Sequence, residues 1–150
     1  MIARWIGIAA SLLALAACNQ GTPIDIANPP HTKAGAWLET GTVHGQARAP
    51  FAFCDPGRPI FPPKDASCSQ WQAVRLGDGS IEFNALCADF GATIRLHRRI
   101  VGDLASSFTD DVTSTMEGPK VAKTTLSAHS VMRYQGACPP GLKPVNPTEG

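Results

Sequence analysis

The chain has 150 residues, room for one domain with a modest core, and 43% of them are hydrophobic. Its 13 lysines and arginines nearly balance its 12 aspartates and glutamates, so it lacks the basic surplus with which nucleic-acid-binding proteins displace counterions. Composition therefore excludes a nucleic-acid binder and leaves a small, nearly neutral globular protein.

Residues 1–17 read as an export leader. Met1 to Arg4 is a short positive start, and the uncharged run from Trp5 to Ala17 is too short to span a bilayer. The leader ends in Leu15-Ala16-Ala17-Cys18, which resembles the lipobox of bacterial lipoproteins, whose cysteine sulfur receives diacylglycerol. Ordinary secretory cleavage with Cys18 incidental is the alternative. The lipid reading balances the 5 cysteines, since acylating Cys18 leaves Cys54, Cys68, Cys87 and Cys138 to form two bridges in an oxidising compartment. Asn19 after the lipidated cysteine, rather than aspartate, resembles signals that favour the outer membrane facing the periplasm. Residues 18–33 then form the lipid anchor and a flexible tether reaching roughly 20 Å, because the segment has three prolines and no hydrophobic period.

From Ala34 to Cys138 the apolar period is two, and helix-length amphipathic windows are missing. The expectation is an all-β, disulfide-stapled antiparallel meander of about seven strands, either a strongly curved sheet or a small barrel. The strands fall near residues 35–44, 49–54, 70–76, 80–87, 92–101, 104–116 and 121–134. Between the second and third, Pro56, Pro59, Pro62 and Pro63 impose a loop. Asp78-Gly79 predicts a two-residue hairpin turn, which would set Leu76 opposite Ile81 and Val74 opposite Phe83. That register puts Cys68 and Cys87 on one face, a diagonal step apart, so a bulge or fraying must close the gap for a bridge. The pairing expected is Cys68 with Cys87 and Cys54 with Cys138, with Cys54 to Cys68 as the rival. Ile94, Leu96 and Ile100 share one face of their strand, and Leu126, Ala128, Met132 and Tyr134 share one face of theirs. Residues 139–150 are proline-rich and polar and read as a disordered tail.

The leader, the cysteine order and the strand order together resemble the domain of unknown function 3617 family of small exported bacterial proteins. The carriers are Gly35-Ala36-Trp37, Cys54, Ala66-Ser67-Cys68, Gly79-Ser80-Ile81 with Cys87, Gly102-Asp103, and Arg133-Tyr134-Gln135-Gly136-Ala137-Cys138-Pro139. The chain departs from the family's pattern after its first domain cysteine, where it has Asp55-Pro56-Gly57. The resemblance implies an envelope location and structural cysteines, and brings no established activity.

The residues that could carry chemistry are sparse. No Gly-x-Ser-x-Gly elbow occurs, and two bridges would leave no nucleophilic thiol. His31, His44, His97 and His129 are scattered without a metal-ligand spacing, so no metal or cofactor is expected. Asp110 and Asp111 are adjacent and should point to opposite faces of a strand. Trp37 and Trp71 read as core aromatics. Arg95, His97 and Arg99 fall on the face opposite Ile94 and Leu96, a basic stripe that could meet an anion, an acidic partner or lipid headgroups, or else be a solvated outer face. Arg98 lands on the inner face, which calls for a bulge or an edge position. The function these features imply is a non-catalytic envelope lipoprotein that binds a protein partner or a small apolar ligand near the membrane. An inhibitor of a periplasmic protease, inserting the 55–67 loop, is the alternative, and an enzyme with a concealed site the third.

Overall fold

The computed structural model describes residues 21–61, 66–89, 91–142 and 144. The leader, Cys18 and Asn19, Pro62 and Pro63 of the proline loop, and the end of the tail lie outside the described residues. Among the described residues the two-residue hydrophobic period yields nine strands and no helix. They are β1 (Thr22–Pro23), β2 (Gly35–Val43), β3 (Gln46–Ala47), β4 (Phe51–Asp55), β5 (Cys68–Arg75), β6 (Ile81–Asp89), β7 (Ala92–Asp103), β8 (Ser107–Gly118) and β9 (Val121–Gly136). The seven expected strands are all present, and the short β1 and β3 are additional.

The strands form one antiparallel sheet in the order β1-β5-β6-β7-β8-β9-β2-β3, with β4 also paired to β2. Only β5 to β9 form a continuous meander. β2 crosses to the far side of β9, aligning Trp37 with Tyr134 and Thr42 with His129. The sheet is open, which corrects the barrel expectation. Closure would require β4 to pair with β5, and both edges are already occupied. Thr22 and Pro23 lie against Arg75 and Val74 of β5, and Pro144 bridges to Cys54 of β4. A proline offers no N–H for further pairing, so such edges also resist association.

Two corrections follow from β1 and Pro144. The segment expected as a free tether is docked from Gly21 onward: Ile24 N–H donates to the Ala73 carbonyl (2.9 Å), Thr32 N–H to Arg58 (3.0 Å) and Lys33 N–H to Leu104 (2.9 Å). Backbone groups, which carry no hydrophobic period, do this work. The tail likewise begins with structure, since Leu142 N–H reaches the Pro139 carbonyl and Pro144 sits on β4.

The hairpin between β5 and β6 turns on Gly77-Asp78-Gly79 rather than on two residues. Gly79 N–H donates to the Leu76 carbonyl (3.0 Å) and Leu76 N–H to Ser80 (2.8 Å), while Gly79 takes a positive φ of 83°. This is a type I turn closed by a glycine bulge. The extra loop residue shifts the register by one, pairing Arg75 with Ile81 and Ala73 with Phe83. A one-residue shift exchanges faces, so Ala73 is buried where Val74 was expected. At the open end a register shift between Cys68 and Gln70 sets Cys68 directly across from Cys87. The two form a disulfide, and Cys54 and Cys138 form the other.

One face of the sheet carries the core. Trp37, Phe53, Ala73, Ile81, Phe83, Ala85, Ile100 and Phe108 form a single buried cluster with Ile60 and Phe61 of the proline loop. Phe61 stacks on Phe83 at 4.8 Å, and Trp37 meets Phe108 and Tyr134 edge-on at 5.5 and 5.4 Å, geometries that suit the ring quadrupoles. Trp71 is only partly buried, edge-on to Phe83 at 4.9 Å. The inner face is thus covered by the segments flanking residues 24 and 60, not by the sheet closing upon itself.

Candidate functional site

Where the loop after β4 leaves the sheet it encloses a cleft of about 670 Å³ against β7, β8 and β9. Pro59, Ile60, Phe61, Phe108 and Met132 give it apolar walls, and Thr32, Asp55, Arg58, Arg98 and Asp110 supply its polar groups. Ligand clefts typically have this size and this mixture.

Asp55 organises the mouth. It ends β4 and its Oδ1 accepts the backbone N–H groups of Gly57 and Arg58, each at 2.9 Å, while Oδ2 accepts the Thr32 hydroxyl at 3.1 Å. Burial of Asp55 raises its pKa, but the two backbone N–H groups and the Arg58 guanidinium outweigh that and hold it below the usual carboxylate value. Arg58 approaches from the side, with Nη2 3.4 Å from Oδ2 and Nε 3.4 Å from Oδ1. The Nε contact lacks hydrogen-bond geometry, and this buried nitrogen has no acceptor.

Arg98 resolves differently from the sequence expectation. It lies in the central strand β7, opposite Phe83 and Val112, on the inner face. No bulge or edge is needed, because Asp110 on the same face takes it in a bidentate pair, Nε to Oδ1 at 2.7 Å and Nη2 to Oδ2 at 2.5 Å. Its Nη1 donates to the Ile60 carbonyl. The pair therefore pins the loop to the sheet as well as satisfying itself. Sequence reading missed Arg58, Asp55 and Thr32; the available signal was Asp55-Pro56-Gly57, an aspartate placed to bond backbone two residues on.

The stripe Arg95, His97 and Arg99 occupies the outer face, as alternation implies, and each member has a neighbour. Arg95 lies 3.8 Å from Glu117, His97 hydrogen-bonds Asn84 at 2.9 Å, and Arg99 pairs with Asp78 at 2.8 Å. Asp111 also faces outward and bonds His129 at 2.6 Å, so Asp110 and Asp111 do point to opposite faces. The described part of the proline loop turns inward, with Ile60 and Phe61 4% and 1% exposed. Among the described residues no three His, Cys, Asp or Glu side chains gather into a metal-holding group, and no helix is long and apolar enough to cross a membrane.

Fold and site together define an open antiparallel β-sheet protein, stapled by two disulfides, with a polar-mouthed apolar cleft on its covered face. No protein family, curated protein or solved structure matches the chain.

Proposed function

We propose that this is a bacterial envelope lipoprotein, anchored through Cys18 and probing the periplasmic side of the outer membrane, whose β domain binds a small, mainly apolar ligand without transforming it. The observation that carries the reading is the 670 Å³ cleft walled by Ile60, Phe61, Phe108 and Met132. Binding rather than catalysis fits its charged groups: both oxygens of Asp110 are engaged by Arg98, and Asp55, whose pKa is lowered, is held in its ionised form by two backbone N–H groups and so is poorly suited to donate a proton near neutrality.

Docking of the chain from Gly21 bears on the membrane geometry. With Cys18 acylated, the three residues to Gly21 span at most about 11 Å, which would hold the β1–β5 edge close to the lipid surface. The motif resemblance to the domain of unknown function 3617 family is compatible with this location. The test is native mass spectrometry of the chain from Asn19 to Gly150, which contains every described residue, after export to the periplasm and gentle purification. The expected spectrum shows an adduct that is lost on denaturation, leaving a mass four hydrogens below the reduced chain. A bare mass under native conditions, unchanged on adding lipid extract, would turn the reading towards a protein partner.

A further inference from the structure

Building on the cleft as a ligand site, we infer that it selects single-chain anionic amphiphiles, with Arg58 receiving the charged head and the Ile60, Phe61, Phe108 and Met132 walls receiving the chain. The two cations of the cleft differ in availability. Arg98 directs Nε and Nη2 at Asp110 and Nη1 at the Ile60 carbonyl, so its donors are engaged. Among the described residues Arg58 has only the long 3.4 Å approaches to Asp55, and its buried Nε has no acceptor there. A buried unpaired donor on a guanidinium is costly and favours an incoming acceptor.

Asp55 does not depend on Arg58 alone. Its oxygens also accept two backbone N–H groups and the Thr32 hydroxyl, so part of its stabilisation persists when the guanidinium turns from the carboxylate to a ligand. Arg58 retains 33% exposure, which places it at the mouth rather than the floor, with its guanidinium carbon 6.0 Å from the Phe53 ring. A planar carboxylate matches the guanidinium fork, and a phosphate head matches its charge.

The experiment displaces a neutral fluorophore, N-phenyl-1-naphthylamine, from the chain beginning at Asn19, using palmitate, hexadecanol and lysophosphatidic acid below their micellar concentrations. Palmitate should bind at least about tenfold more tightly than hexadecanol, in line with one charge-assisted hydrogen bond. Arg58→Gln should erase that ratio, and Arg58→Lys should restore part of it. Comparing palmitate with lysophosphatidic acid distinguishes a free fatty acid from a phospholipid product as the source of the head, and either preference supports the proposal if it depends on Arg58. Equal binding of palmitate and hexadecanol by the unsubstituted chain would overturn the head-group assignment while leaving the cleft reading intact. Failure of all three to displace the fluorophore would overturn both.

Discussion

Four aspartates share one local device: each accepts the backbone N–H two residues on, Asp25 from Ala27, Asp55 from Gly57, Asp78 from Ser80 and Asp103 from Ala105. These bonds exist only with an acceptor oxygen and are strongest with a carboxylate, and all four pKa values are lowered. A carboxyl whose folded pKa lies below its unfolded value of about 3.9 contributes stability above that value and loses it as pH falls through the folded pKa. The urea midpoint should therefore be flat above about pH 5 and fall as pH drops below about 4. Asp55→Asn should make that acid slope shallower, and an unchanged slope would remove Asp55 from the account.

Asp110 and Asp111 give a second test at the same scale, because they are neighbours in sequence on opposite faces of β8. Asp110 is 14% exposed and paired bidentately, whereas Asp111 is 53% exposed. Asp110→Ala strands a largely buried guanidinium and should cost about 2–4 kcal/mol in urea unfolding. Asp111→Ala should cost less than about 1 kcal/mol. Equal losses would mean that Arg98 finds another acceptor.

At the scale of elements, β2 depends on the glycine at its start. Gly35 has a φ of 144° and an added Cβ would collide with the Gly136 carbonyl and the Tyr134 ring. That close approach is what lets Trp37 sink between Phe108 and Tyr134. Gly35→Ala should destabilise by about 2 kcal/mol or more. Gly45, which also has positive φ but open space around it, should cost about 1 kcal/mol as alanine. Thermal unfolding of the two variants separates steric from purely conformational strain. The β5–β6 hairpin shows why element boundaries were more legible than registers: Asp78-Gly79 marks a turn in any case, but whether Gly77 joins the loop depends on the Leu76 to Ser80 pairing.

For the whole molecule, the two bridges do unequal work. Cys54 and Cys138 are 84 residues apart and Cys68 and Cys87 are 19 apart. Chain-entropy estimates give about 4.5 and about 3 kcal/mol respectively. Replacing the first pair by serines should lower unfolding free energy by about 1 kcal/mol more than replacing the second. The reverse order would mean that local distortion of the sheet, rather than the denatured chain, governs the loss.

The sequence by itself determined what is local: the two-residue period that makes strands, the positions of the glycine and aspartate turns, and the inward and outward residues of β6 and β7; the register that sets Cys68 across from Cys87, the choice among the possible cysteine pairings and the exposure of Leu126 on β9 came from the tertiary structure. Hydrophobic alternation and turn chemistry act over a few residues and need no partner to be read. Only the tertiary structure decided that β2 lies beyond β9, that the sheet stays open with Pro23 and Pro144 at the two edges, and that Arg98 is answered by Asp110. It alone brought Thr32, Asp55 and Arg58 to the mouth of a cleft. Those facts rest on backbone and charged groups meeting across tens of residues, where pairing is chosen by geometry and leaves no periodic trace in the chain.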